Sequence, residues 1–180
     1  MKKTIYAAAL AFTLSQGAAL AQEAGLRAPV ETAAPQTVYA TFMNAGGMEA
    51  GKATVTAAPN GLLFRVYLHD LTPGWHGLHV HGAGDCSDHA EHFKKSGSHH
   101  AREGQEHGYL SAKGPHSGDL PNIWVHTDGT AQAEIYTAGL TLAELTDADG
   151  SALMVHATAD NYAAQPSGDS GERLACAVVR

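Results

Sequence analysis

Positive charge is scarce in this chain. Eleven lysines and arginines stand against eighteen aspartates and glutamates, for a formal net charge of −7. That balance excludes a general binder of nucleic acid or of anionic membrane, since either partner requires a basic face. An anionic substrate would need a local positive patch set against an unfavourable overall field. Long apolar runs are missing as well: past residue 21 no segment is apolar enough to cross a bilayer. Helical periodicity is nearly absent, as are internal repeats and any break that would mark a second domain. Cysteine is reduced to two residues, Cys86 and Cys176.

Residues 1–21 read differently from the rest. Met1-Lys2-Lys3 supplies a positive start, Ile5 to Leu14 a mostly apolar stretch, and Ala19-Leu20-Ala21 a small-residue cleavage site before Gln22. This is the pattern of a bacterial secretory signal peptide cut after Ala21, which places the mature chain in the periplasm. Its apolar stretch is too short to be a comfortable membrane anchor. Cleavage removes Lys2 and Lys3 and no acid, so the mature charge becomes −9. In an oxidising compartment the two cysteines read as one intrachain bridge, the alternative being a pair of buried free thiols. Residues 22–36, rich in Ala, Glu and Pro, read as a flexible lead-in, which leaves 37–180 as a single domain.

Within that domain the signals are those of short strands. Thr37–Met43, Lys52–Ala57, Gly61–His69, Trp75–His81, Asn122–His126, Thr130–Tyr136, Ala152–Thr158 and Leu174–Val179 alternate or are rich in strand formers. Pro59-Asn60-Gly61 is turn chemistry, Asp128-Gly129 signals a hairpin, and Thr141–Leu145 a short helical turn. Eight short antiparallel strands predict an all-β fold, a Greek-key barrel or sandwich of immunoglobulin-like architecture. Gly82–Pro121 breaks the pattern: it is too long for an ordinary loop, and such segments are functional or disordered. It holds many of the histidines, so metal bonds and a disulfide from Cys86 are expected to order it.

Six histidines and one aspartate carry the chemistry. His79 and His81 share one face of a strand while Val80 turns away, which makes them half of a chelating site. His99, His107, His116 and Asp119 form a set of three nitrogens and one oxygen, suited to tetrahedral zinc. His79, His81 and His156 add an all-imidazole group of strand-imposed geometry, suited to copper. Two neighbouring sites follow; the residues alone do not say whether they share a ligand.

Gly77-Leu78-His79-Val80-His81-Gly82-Ala83-Gly84-Asp85-Cys86 resembles the copper-binding signature of copper–zinc superoxide dismutases. Gly168-Asp169-Ser170-Gly171-Glu172-Arg173-Leu174-Ala175-Cys176-Ala177-Val178-Val179 resembles the second signature of that family. His116-Ser117-Gly118-Asp119-Leu120-Pro121 and Met154-Val155-His156-Ala157 are similar to its zinc and copper segments, so the likeness runs from about Val38 to Val179. The resemblance implies one copper on His79, His81, His99 and His156, and one zinc on His99, His107, His116 and Asp119, with His99 bridging the two. It implies that Asp160 links ligand histidines of both metals through their outer nitrogens, and that Arg173 guides and binds superoxide. The implied reaction is dismutation of superoxide to oxygen and hydrogen peroxide by alternating reduction and oxidation of the histidine-bound copper, an antioxidant activity.

One departure concerns the bridging position. The family pattern there is Gly-His-Phe-Asn-Pro, whereas this chain has Ser98-His99-His100-Ala101-Arg102. The interval to His107 favours His99 as the bridge, with His100 facing solvent. Asp119 and Asp160 also have bland readings as turn aspartates, and Arg173 as a surface arginine. Lys94-Lys95 is either a steering patch for superoxide or a solvated pair. His69, His76, His89, His92 and His126 have no assigned role and read as solvated or hydrogen-bonded residues, with auxiliary metal capture by His89 and His92 as a further option, and Trp75 and Trp124 read as core or subunit contacts. The rival function is a non-catalytic periplasmic copper buffer or donor on the same fold. A zinc hydrolase is the weaker rival, because three histidines and an aspartate leave no open position for water. One sequence does not separate a monomer from a homodimer.

Overall fold

The computed structural model describes residues 34–180. The predicted signal peptide, 1–21, and most of the predicted lead-in, 22–36, lie outside the described residues. Eight strands form one sheet: β1 (Thr37–Asn44), β2 (Glu49–Ala58), β3 (Gly61–Leu68), β4 (Gly74–His81), β5 (Asp119–Val125), β6 (Ala131–Thr137), β7 (Ser151–His156) and β8 (Arg173–Val179). Their order is β5-β4-β7-β8-β1-β2-β3-β6, and every neighbouring pair is antiparallel. The sheet curls until β5 and β6, its two ends, face each other, giving the nearly closed Greek-key barrel that the strand pattern predicts. Among the described residues no helix is long and apolar enough to cross a membrane. The only α-helical turn among them, α1 (Leu142–Leu145), is capped reciprocally by Thr141 and Glu144.

Alternation places the core. On β3, Leu62, Phe64, Val66 and Leu68 point inward and are buried, while Arg65 and Tyr67 point out. They meet Phe42 of β1, Val55 of β2, Ile135 of β6 and Leu153 and Val155 of β7 in one apolar cluster. Most residues of β4 and all of β7 are buried, because long loops cover their outer faces. Leu78 and Val80 fill the barrel, and His79 and His81 lie beneath those loops.

Two expectations need correction. Asp128-Gly129 does make a tight turn, with His126 N–H donating to the Thr130 carbonyl at 2.8 Å. The flanking strands do not form a hairpin ladder, however, because β5 pairs with β4 and β6 with β3. β5 and β6 are the two ends of the sheet, so the turn carries the chain across the barrel seam. Of the core and subunit-contact readings of Trp75 and Trp124, the structure removes only the first: they face each other in register and are about half exposed, with ring centroids 5.2 Å apart.

Candidate metal centre

β5 begins at Asp119, three residues before the strand start read from the sequence, and this places Asp119 directly opposite His79 of β4. The long loop reaches the same spot through backbone bonds to Val80. Val80 N–H donates to the Gly118 carbonyl at 2.8 Å, His100 N–H donates to the Val80 carbonyl at 2.7 Å, and Gly118 N–H donates to the His100 carbonyl at 2.7 Å. So close an approach requires glycine: a Cβ at Gly118 would overlap the Val80 carbonyl. The Cys86–Cys176 disulfide, with Cα atoms 5.8 Å apart, fastens the same loop to β8 and confirms the pairing expected of the two cysteines. Backbone lacing to β4 thus adds an anchor that the side-chain pattern did not display.

Six histidines and Asp119 converge where these pieces meet. His99 Nδ1 and His107 Nδ1 lie 2.9 Å and 3.1 Å from Asp119 Oδ1, and His116 Nδ1 lies 3.5 Å from the same oxygen. The other oxygen, Oδ2, accepts from the backbone N–H of Gly108 at 2.8 Å and of His116 at 3.0 Å, which fixes the carboxylate. On the far side of His99, four buried nitrogens have no hydrogen-bond partner: His79 Nδ1, His81 Nε2, His99 Nε2 and His156 Nε2. Orphaned buried nitrogens are costly, and four facing one another form a ligand shell without protein donors or acceptors to satisfy it. His79, His81, His99 and His156 are one group able to hold an ion, and His79, His99, His107 and Asp119 another. His116 stands beside the second group without belonging to it, its Nδ1 3.5 Å from Asp119 Oδ1. The outer nitrogen of His79 is engaged by Asp160 and its inner nitrogen faces the first group, whereas His116 Nδ1 has no partner.

Asp160 joins the halves. Its Oδ2 lies 2.9 Å from His79 Nε2 and its Oδ1 3.0 Å from His107 Nε2, with all three side chains buried. Asn122 grips the backbone of Asp160 reciprocally, accepting from its N–H and donating to its carbonyl, each at 2.8 Å. Gly168, at φ +67°, leaves the space: a Cβ there would overlap the Asp160 carboxylate and crowd His107. Arg173 stands on the rim of an opening of about 250 Å³ that leads to His81, His99 and His156. A larger open depression lies between Lys52, Arg65 and Glu134 on β2, β3 and β6, strands that contribute nothing to this cluster.

Electrostatics keep His79, His81 and His156 neutral and Asp119 ionised. Burial lowers His79 to about 4 despite the opposing Asp160, and lowers His156 to about 3 with help from His79. Burial, then His99 and Arg173, pushes His81 well below its ordinary value. For Asp119, burial acts upward but is outweighed by the His99 hydrogen bond and the Gly108 N–H, so its carboxyl titrates below the usual range. Neutral imidazole and ionised carboxylate are the forms that bind metal.

The sign of the pH dependence follows for the metal-free protein. A histidine with a lowered folded value stays neutral in the native state while the unfolded chain takes up a proton below about 6.5. Stability is therefore full above pH 6.5 and falls as the pH drops toward 4, by roughly 3 kcal/mol for His79 alone. Urea denaturation of the metal-free protein at a series of pH values measures this. A flat profile between pH 7 and 4 would contradict the burial of uncharged histidines.

The sequence reading missed several residues. His76 is buried with Nδ1 2.7 Å from the His156 carbonyl and Nε2 2.7 Å from the Thr72 carbonyl, so it braces the backbone of a cluster residue. The signal for Asn122 was its type, since asparagine is depleted in strands and is kept there for a reason. His100, expected to face solvent, is half-buried, and its Nδ1 lies 3.0 Å from Ser117 Oγ. It points away from the cluster, and His99 is the member that enters it.

Fold and site together define a class: a β-barrel protein whose covered outer face carries a histidine-rich centre able to hold metal. Residues 49–179 match the family described as copper/zinc superoxide dismutase. The chain is 45% identical over 141 residues to a copper–zinc superoxide dismutase of Caulobacter vibrioides, covering 74% of this chain and 80% of that one. It is 34% identical to that of Photobacterium leiognathi, over 99% of this chain and 98% of the relative. The solved copper–zinc superoxide dismutase of Brucella abortus superposes with a TM-score of 0.67 at 32% identity, covering 81% of this chain and all of that one. The chain belongs to the copper/zinc superoxide dismutase family.

Proposed function

We propose that this protein dismutates superoxide to oxygen and hydrogen peroxide. In this reading one copper is held by His79, His81, His99 and His156, and one zinc by His99, His107, His116 and Asp119. The observation that carries it is the position of His99. Its Nδ1 meets Asp119 Oδ1 at 2.9 Å, while its Nε2 belongs to the four unpartnered nitrogens. One imidazole thereby serves both groups. When bound, copper supplies a reversible one-electron couple and zinc a fixed charge without redox chemistry.

The protein's own groups do the rest. Arg173 draws the superoxide anion to the opening and orients it by its charge. His99 Nε2 is placed to hold one proton between half-reactions and deliver it to the peroxide product, the second coming from water. Asp160 fixes the tautomers of His79 and His107, so that their inner nitrogens keep facing the metals. The finer reading places the signal peptide at residues 1–21, the catalytic domain at 37–180 and the mature enzyme in the periplasm.

The test is dismutation by residues 22–180, oxidised and loaded with one copper and one zinc. A fast, copper-dependent rate is expected. Stoichiometric copper binding with negligible turnover would refute catalysis and select a copper buffer or donor. That rival draws no support from the site, where all seven ligand positions and Arg173 are filled. Sedimentation of the same sample separates a monomer from a homodimer.

The steering role of Lys94 and Lys95 is a further part of the proposal. Lys94 is partly offset by Glu91, 3.6 Å away, and Lys95 reaches Ser87 Oγ at 3.2 Å. Replacing both by glutamine is expected to slow the reaction about twofold to fivefold at low ionic strength and hardly at all above about 0.5 M salt. Equal rates at low salt would remove the lysines from the mechanism.

A further inference from the structure

Arg173 and His81 come from different strands, and the segment from Phe93 to Gly97 joins them. Arg173 Nη1 donates to the Phe93 carbonyl at 2.7 Å and to Ser96 Oγ at 3.1 Å, and Nη2 donates to the Gly97 carbonyl at 2.8 Å. The same Gly97 carbonyl accepts from His81 Nδ1 at 2.9 Å. His81 therefore presents its Nδ1 hydrogen to this segment and leaves Nε2 for the cluster.

Ser96 is fully buried at the centre of this arrangement. Its hydroxyl hydrogen goes to the Phe93 carbonyl at 2.8 Å, which leaves two lone pairs to accept. One faces Arg173 Nη1, and the other faces His81 Nδ1 at 3.3 Å, which shares its hydrogen between Ser96 and Gly97. The hydroxyl's one hydrogen and two lone pairs are all engaged. The segment itself is pinned to the end of β4, with Ala83 N–H donating to the Ser96 carbonyl at 3.1 Å and Gly82 N–H to the Ser98 carbonyl at 2.9 Å. Every other acceptor holding the guanidinium is a backbone carbonyl, so Ser96 is the one side chain in the set.

We infer that Ser96 is a positioning residue whose hydroxyl fixes the Arg173 guanidinium relative to His81, and so sets how strongly the site attracts a small anion. This rests on the proposed function, which takes Arg173 as the anion-binding group. Without the hydroxyl, Nη1 keeps only the Phe93 carbonyl, and the link from arginine to histidine runs through Gly97 alone.

Azide is the probe, titrated into the copper- and zinc-loaded protein and followed by visible absorption. Ser96→Ala is expected to raise the azide dissociation constant about threefold to tenfold, the effect of losing one hydrogen bond to a charged group while others remain. In an Arg173→Ala background the same change should add less than about twofold, the mark of an effect transmitted through Arg173 rather than through general loosening. An unchanged azide affinity in Ser96→Ala, or a loss undiminished in the Arg173→Ala background, would overturn the inference. A wild type that binds no azide, or an Arg173→Ala variant that binds it equally well, would instead overturn the anion site beneath it. Normal behaviour of those two with a silent Ser96→Ala overturns this inference alone.

Discussion

Replacing Asp160 by alanine lowers the affinity for copper and for zinc together, each by about tenfold to a hundredfold. The expectation follows from where the carboxylate sits: between the outer nitrogens of His79 and His107, at 2.9 Å and 3.0 Å, and out of contact with solvent. Removing it leaves two buried imidazole N–H groups without acceptors, at about 1–3 kcal/mol each. It also frees both rings to turn or to change tautomer. Asp160→Asn should be nearly as damaging, because an amide has one acceptor oxygen and would aim an NH₂ group at the second N–H. Chelator competition for each metal measures the effect. Equal losses at both metals support a shared brace; a loss confined to one would show that Asp160 serves a single site.

The legible and illegible parts of this protein divide along physical lines. His79 and His81 were readable because strand periodicity alone puts them on one face, and the barrel confirms it by burying Leu78 and Val80 on the other. The strand count and Greek-key class were readable from alternation and turn residues. Partner choice was not: Asp128-Gly129 signals a turn, but nothing local says that β5 will pair with β4 and β6 with β3. The path of the loop from Gly82 to Gly118 was also hidden. It is set by backbone bonds among Val80, His100 and Gly118, and a backbone amide leaves no mark in side-chain pattern. His76, Asn122 and Gly168 act through carbonyls, amides and empty space around the ligands, and contribute no ligand atom themselves. Candidate ligands announce themselves by residue type; of the groups that brace them, Asp160 was legible through the family resemblance, and His76 and Gly168 emerge only when the chain is folded.

Removing the disulfide is expected to have the largest effect on stability. The Cys86–Cys176 bond closes a separation of 90 residues, and on the chain-entropy account its loss costs about 4–5 kcal/mol. That is a large share of the 5–15 kcal/mol typical of a folded domain. The bond also has local work. Cys86 and Cys176 pack with Phe93, Ala152 and Met154 in a small cluster on the outer face of β7 and β8. Phe93 and Gly97, which hold Arg173, belong to the loop that the bond fastens, and Cys176 lies three residues beyond Arg173 on β8. Urea titration of the metal-free Cys86→Ser/Cys176→Ser protein should therefore show a much lower midpoint. Loading both metals should return part of the loss, because ions that bind only the folded chain stabilise it by mass action. Coincident midpoints for the metal-free variant and the parent would mean that backbone lacing to β4 holds the loop by itself. The disulfide would then be incidental to the centre it borders.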